Sequence, residues 1–393
     1  MGLLVGATLL AFVTVALAGE VAMRYRERHR TSLAGTMPLL YYRHGRLGHA
    51  LVRDYDYFGR IHIDREGFRG PELAARKAPG VLRLMAIGSS TTFDPSVSGD
   101  AATWPARLQF WLTELWPGHQ VEVINAGVPG YRVIDDLIRW ETELYQYQPD
   151  LIVLYEGHND LFGALRSGRE QPGPLTTTPG EVPVVTPWGH WLSRHSLLYS
   201  QLVARLNALQ FSASGRRALA KREPAGQTED EIITAGAQQF ERDLTSLLAV
   251  VRTSGTRVVI PEMVDASEVG TVNEADSALR HVWSYTVPFA DPETVLRGYV
   301  RYNAVLGEVA ERFGATWVLT ASFGLSGAQW YEAGDPIHFN DRGADRMGHR
   351  MAEALLAAGV LDVRAPRPHR KPPDVSSGAS GSASAPGPQS LLR

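Results

Sequence analysis

The chain has 393 residues, 44% hydrophobic and 21% charged, with a formal net charge of −3 and no cysteine. That composition supports a sizeable buried core, and the near-balanced charge gives no footprint for nucleic acid. Without thiols, disulfides, Fe–S clusters, thiolate metal sites and cysteine nucleophiles are all excluded.

The first element is an uncharged run, Gly2–Gly19, followed by Glu20 and then by Arg24, Arg26, Arg28 and Arg30. It is near the lower length limit for crossing a bilayer, and the "ALA" before Gly19 also resembles a signal-peptide cleavage site. Residues 1–23 therefore read as a transmembrane anchor or a signal segment, with a buried core helix as the third reading. Taken alone, arginines after the span place the following domain on the cytoplasmic side.

Residues 24–80 are basic and aromatic, with short alternating runs such as "GRIHID", and read as a lead-in holding one hairpin. The link "GPELAARKAPG" closes it. From residue 81 the pattern changes. "VLRLMAIG" is a strand, "ATWPARLQFWLTELW" a helix, "QVEVINAG" a strand, "VIDDLIRWETELYQY" a helix and "PDLIVLYEG" a third strand. Strand–helix alternation with fully apolar strands predicts a three-layer α/β/α fold around a central parallel sheet. Residues 167–228 interrupt it as an insertion with a Pro/Thr/Gly stretch and a helical segment, "SLLYSQLVARLNALQF". The helix "AGAQQFERDLTSLLAVVRTSG" and strand "TRVVIPEMV" resume the pattern. A second insertion spans 265–292, before the helix "VLRGYVRYNAVLGEVAERFG", the strand "ATWVLTA" and a last helix from Asp341. Residues 361–393 form a Pro/Gly/Ser/Ala-rich tail with the composition of a disordered segment.

Ligands of open parallel sheets bind beyond the carboxyl ends of the strands. Those ends carry "GSSTTF" (88–93), "NAGVPGY" (125–131) and "GHND" (157–160), and "GDPIHFNDRG" (334–343) precedes the last helix. Each block alone has a bland explanation: an N-cap, a turn, a loop, a bystander histidine. Together they put hydroxyls, a flexible glycine, an amide and an Asp/His pair on one sheet edge, the inventory of acyl transfer. Walker-type Gly-x-x-x-x-Gly-Lys, Gly-x-Ser-x-Gly and His-Glu-x-x-His patterns are absent from the sequence. His190 and His195 are five apart, off a shared helical face, and read as surface residues.

These four blocks, in this order over residues 81–360, resemble the SGNH or GDSL-type hydrolase superfamily, which implies a flavodoxin-like hydrolase domain. The resemblance implies Ser90 as nucleophile, His338 as general base and Asp335 as its orienting partner. It implies an oxyanion hole from the backbone N–H groups of Ser90 and Gly130 and the side chain of Asn159, with no cofactor or metal. Ser89 stands where the signature has aspartate. "GSSTTF" with "GFRGPE" (67–72) is similar to the membrane-tethered bacterial branch, which implies an extracytoplasmic catalytic domain and overrides the arginine count.

The expected function is a serine esterase or deacylase acting on short O-acyl esters, small-molecule or glycan-linked. The alternatives are a glycan O-acyltransferase with the same residues and an inactive glycan- or partner-binding domain. The neighbouring hydroxyls are expected to cap the helix after Ser90. His158 is read as packing or substrate-orienting and Asp160 as a cap. Trp104, Trp283, Trp330 and Tyr331 are candidates for either pocket wall or core.

Overall fold

Apolar runs that end in capping residues and glycines determine where the elements begin and stop. The computed structural model describes residues 2–28, 40–167, 187–203, 205–206, 228–267 and 290–362. The chain opens with a long helix, α1 (Gly2–Arg28). Two antiparallel hairpins follow, β1 (Tyr41–His44) with β2 (Gly48–Leu51), and β3 (Tyr55–Tyr57) with β4 (Ile61–Ile63). The lead-in thus holds two hairpins where its sequence suggested one.

The sheet begins at β5 (Val81–Gly88), which runs into a one-turn helix, α2 (Ser90–Phe93), and then α3 (Trp104–Leu115). Thr103 caps α3 by accepting a hydrogen bond from Ala106 N–H, with Pro105 in the first turn. Next come β6 (Gln120–Asn125), α4 (Val133–Thr142), β7 (Leu151–Tyr155) and α5 (His158–Ser167). The helix read over 133–147 divides: α4 ends at Thr142 and a 3₁₀ turn covers Leu144–Tyr147, closed by Gln148 at φ 50° just before Pro149.

Within the first insertion α6 (Pro187–His195) is followed by a further helical segment at 197–203. α7 (Glu229–Thr253) starts six residues before the sequence pattern suggested. A reciprocal capping box between Thr228 and Glu231 nucleates it there. β8 (Arg257–Pro261), α8 (Pro292–Phe313), β9 (Thr316–Val318) and α9 (Asp341–Ala357) complete the fold. β9 is shorter than "ATWVLTA", because Thr320–Phe323 turns into 3₁₀ and stops at Gly324 (φ 64°). Trp283, most of both insertions and the tail from 363 onward lie outside the described residues.

The five strands pair in the order β6-β5-β7-β8-β9, all parallel. This is the 2-1-3-4-5 order of flavodoxin-like sheets, whose switch point lies between the first and third strands. Here that is the gap between β5 and β7, which end at Gly88 and Tyr155. β7 is buried along its whole length, as a strand between two helical layers must be. One core joins the sheet to α4, α5, α7 and α8 through Trp140, Leu161, Phe240 and Tyr302. The other joins it to α3 and α9 through Trp104, Leu108, Met347 and Met351. Each fully buried aliphatic side chain contributes about 1.5–3 kcal/mol.

The lead-in is built into the same compact unit as the sheet. Arg69 bridges Ile63 and Asn125, extending the edge beyond β6. A third core, with Tyr55, Tyr57, Ile61 and Ile63, takes in Phe93, Val128 and Tyr131 from the loops after β5 and β6. The hairpins therefore support the same sheet edge that carries the candidate site.

Candidate active site

At the end of β5 the chain reverses at Gly88, where φ is 154° and an added Cβ would lie 2.3 Å from the Tyr155 carbonyl oxygen. Only glycine fits there, and the turn delivers Ser90 as the first residue of α2. Ser89 is fully buried and its hydroxyl makes no cap bond. The hydroxyl run is therefore not a side-chain cap: Thr92 and Phe93 N–H bond the Ser89 carbonyl, and Thr92 Oγ1 donates to the Tyr155 carbonyl. The short helix is closed by Asp94 in the left-handed region (φ 68°), its carboxylate accepting Trp104 N–H at 2.9 Å.

The loop before α9 brings Asp335 and His338 to this turn. Asp335 Oδ1 accepts the N–H groups of Ile337 and His338, at 2.9 and 3.0 Å. Its Oδ2 lies 2.6 Å from His338 Nδ1, and His338 Nε2 lies 2.9 Å from Ser90 Oγ. With the proton on Nδ1 facing the carboxylate, Ser90 O–H donates to Nε2. Burial depresses the imidazole's affinity for a proton, but the Asp335 charge and hydrogen bond, with charge on Asp94, hold it above the ordinary histidine value. Burial pushes Asp335 up, and the charge and hydrogen bond of His338 with the two N–H donors outweigh it, so Asp335 stays below the usual carboxylate range. A hydroxyl, an imidazole and a carboxylate in this chain can exchange a proton and form a nucleophile.

Gly130 lies in the loop after β6, and Asn159 is the second residue of α5, directly after β7. Gly130 has φ 87°, a left-handed conformation suited to glycine. Asn159 donates one side-chain N–H to the Tyr131 carbonyl at 2.8 Å, which fixes its amide and leaves a second N–H donor. Val128 N–H bonds the Gly88 carbonyl and Ala126 N–H the Ala86 carbonyl, tying the Gly130 loop to the Ser90 turn.

Three residues that sequence reasoning missed support this arrangement. His49, from β2, places Nε2 2.9 Å from the Pro129 carbonyl, while Tyr131 O–H donates to the His49 carbonyl. The Pro129 carbonyl and Gly130 N–H belong to one peptide plane, so His49 orients the donor that Gly130 presents. Burial lowers the His49 pKa, only partly offset by this hydrogen bond. Arg69 donates to the carbonyls of Phe93 and Asp94, at 2.8 and 2.7 Å, closing the C-terminus of α2. Asp94 is raised to about 7 by burial, against Trp104 N–H and the charges of Arg69 and His338. Arg69 lies within the quoted "GFRGPE"; neither His49 nor Asp94 has a comparable sequence pattern.

The remaining candidates separate. His158 is buried in an edge-on cluster with Tyr155 and Tyr299, and burial lowers it to about 4. Asp160 Oδ2 accepts Val133 N–H at 3.4 Å rather than facing Ser90. Trp104 is core, its indole N–H bonding the Thr91 carbonyl; Trp330 carries Arg342 and Arg346 on its face, and Tyr331 is buried against Phe339. His195 is exposed and His190 half-buried.

The parallel sheet with its site at the β5–β7 switch point defines an α/β hydrolytic enzyme of the SGNH type. A family profile described as the GDSL-like Lipase/Acylhydrolase family matches residues 86–346. The chain belongs to that family, and is an ester-bond hydrolase. No curated protein sequence matches it. Among solved structures it is similar to LAE5, an alpha/beta hydrolase from the metagenome of Lake Arreo, at 15% identity, over 71% of this chain and 96% of that one, with a TM-score of 0.40. It is also similar to Axe2, an acetylxylan esterase from Geobacillus stearothermophilus, at 16% identity over 71% and 94%, with a TM-score of 0.39.

Proposed function

We propose that this chain is a serine esterase that removes short O-acyl groups from alcohols, glycan hydroxyls included. The observation that carries the reading is the continuous chain Asp335–His338–Ser90, at 2.6 and 2.9 Å. Ser90 Oγ attacks the ester carbonyl as its proton passes to His338 Nε2. Asp335 holds the other imidazole nitrogen and stabilises the imidazolium. The anionic oxygen is met by the N–H groups of Ser90, Gly130 and Asn159. The ester C–O bond then breaks, and His338 returns its proton to the leaving alkoxide. Water, deprotonated by His338, attacks the acyl carbon; the bond to Ser90 Oγ breaks, the acid leaves, and His338 returns the proton to Ser90 Oγ. No step calls for a metal or organic cofactor.

The buried rings of Tyr155, His158 and Tyr299 cluster near the Asp335–His338 loop, and we assign them to the wall that limits the acyl group to a short one. We read α1 as a membrane anchor: Leu4–Glu27 is long and apolar enough to cross a bilayer, and none of its apolar window is buried against the protein. The likeness of "GSSTTF" and "GFRGPE" to the membrane-tethered branch supports a catalytic domain on the extracytoplasmic side, close to the membrane.

The test is hydrolysis of a p-nitrophenyl ester series by the full-length protein. The reading expects acetate and propionate to be favoured over octanoate and longer, with turnover abolished in Ser90→Ala and His338→Ala. Turnover that survives either substitution overturns the triad; preference for long chains overturns the acyl assignment. Product analysis with an added glycan acceptor distinguishes transfer from hydrolysis.

A further inference from the structure

Beside the end of α1 lies a helical pair with its amphipathicity reversed. α6 and the helical segment at 197–203 turn small and amide polar side chains inward beside Leu197: Ser193 and Ser200 are fully buried and Gln201 nearly so. Gln201 donates to Tyr57 O–H at 3.1 Å, Tyr55 O–H lies 3.4 Å from Ser193 Oγ, and Ser200 donates to the Ser193 carbonyl. The outward face carries large apolar side chains, with Arg194, His195 and Arg205 among them. Trp188 is 77% exposed, Trp191 52%, Leu202 56% and Leu206 49%, with Leu192 and Leu198 more than a third exposed. Positions 188, 191, 192 and 195 share one helical stripe, and 198, 202 and 206 another. A surface helix in water has the opposite arrangement.

The position of this face identifies what covers it. Glu20 of α1 accepts the N–H groups of Leu197 and Leu198 and the hydroxyl of Ser196, each at 2.9 Å. Arg24 donates to the His195 carbonyl at 3.0 Å, and its guanidinium stands over Phe58. The Leu198 side chain packs at Gly19, where an added Cβ would meet it at 3.5 Å. The pair is therefore clamped to α1 where the uncharged run Gly2–Gly19 gives way to charge. That run spans about 27 Å at ~1.5 Å per residue, close to the roughly 30 Å of a hydrocarbon core. Its end, and the helical pair with it, falls at headgroup depth. Exposed tryptophans, leucines and the cations Arg24, Arg194 and Arg205 are the residues that favour that layer.

We infer that residues 187–203 with 205 and 206 form an interfacial collar that lies on the lipid surface, with Trp188, Trp191, Leu192, Leu198, Leu202 and Leu206 in contact with acyl chains. The collar gives the enzyme a second membrane contact beside α1. Because Tyr55 and Tyr57 belong to the core that also takes in Val128 and Tyr131, it holds the catalytic domain at one tilt to the bilayer rather than on a free tether. This inference rests on reading α1 as a span.

The absence of cysteine allows single-cysteine variants without background. Full-length protein carrying Trp191→Cys, Leu202→Cys or Leu206→Cys is spin-labelled and reconstituted at low density in phosphatidylcholine/phosphatidylglycerol vesicles. Leu10→Cys marks the span, and Tyr145→Cys and Leu319→Cys mark solvent-exposed surface. Reaction with a fluorophosphonate confirms that each labelled variant is folded. Collision with oxygen relative to a water-soluble nickel chelate should rise several-fold at 191, 202 and 206 over 145 and 319. Water-like values at all three, with lipid-like values at Leu10→Cys, overturn the collar and leave the span intact. Water-like values at Leu10→Cys as well overturn the span. Dipolar broadening at 202 in dilute vesicles would mean that a second copy covers the face, and also overturns the lipid assignment.

Discussion

Replacing Arg69 with methionine tests whether the lead-in is part of the catalytic apparatus. The Arg69 side chain is fully buried, pairs with Asp100 at 2.7 Å and stands 4.7 Å over the Phe93 ring. Its two hydrogen bonds to the Phe93 and Asp94 carbonyls hold the end of the helix that begins with Ser90. Removing one member of a buried pair costs about 3–5 kcal/mol. Asp100 is a fifth exposed and keeps the His62 N–H, so the lower end applies, about 3 kcal/mol. Stranding the carbonyls adds about 1 kcal/mol or more, partly offset by methionine packing on Phe93. A total near 4 kcal/mol corresponds to a fall in Tm of about 6 °C for a domain of this size, at ~2.1 cal/mol/K of unfolding entropy per residue. The assay is thermal unfolding of the detergent-solubilised full chain at one fixed scan rate, paired with the rate of fluorophosphonate labelling well below Tm. Lysine should fall between, since it keeps the charge but not the fork. A fall in Tm under ~2 °C, with unchanged labelling, would show that Arg69 does not hold the Ser90 turn.

Because His338 is held above its ordinary value, the imidazole stays protonated, and inactive as a base, up to a pH above about 6.5. The acid limb of kcat/KM should therefore lie above that value, and Asp335→Asn should move the limb to lower pH while reducing the rate. A pH–rate profile that Asp335→Asn leaves unmoved contradicts the pairing. Asn159→Ala removes one oxyanion donor and should lower kcat by about 10²–10³ with little change in KM; a loss confined to KM would assign Asn159 to binding instead. His49→Phe should lower kcat by freeing the Pro129–Gly130 peptide, and His49→Gln, which retains an N–H donor, should recover part of it. Equal kcat in the two variants would reduce His49 to packing.

The sheet was legible because β5, β7 and β8 are nearly uninterrupted apolar runs that alternate with helical patterns. Ser90, Gly130 and Asn159 could be proposed from the sequence because each follows the end of a parallel strand, and Asp335 and His338 because their Asp-x-x-His spacing falls just before the last helix. The supporting residues were harder to read. His49 acts through a backbone carbonyl 80 positions away, and no local periodicity marks a histidine for that task. Ser89 and Thr91 illustrate the opposite error: a hydroxyl run suggests caps, but both hydroxyls are buried with no hydrogen-bond partner among the described residues. The two-hairpin lead-in was partly hidden because its strands are only three or four residues long. Capping residues, not hydrophobic period, set the start of α7, since Thr228 and Glu231 precede the first apolar stripe.

The most direct test of the central claim is covalent labelling of the full-length protein by a fluorophosphonate, comparing wild type, Ser89→Ala, Ser90→Ala and His338→Ala. Labelling in wild type and Ser89→Ala, with none in Ser90→Ala and little in His338→Ala, is the result predicted for a Ser90 nucleophile activated by His338. Labelling that persists in Ser90→Ala, or is absent from the folded wild type, would contradict it.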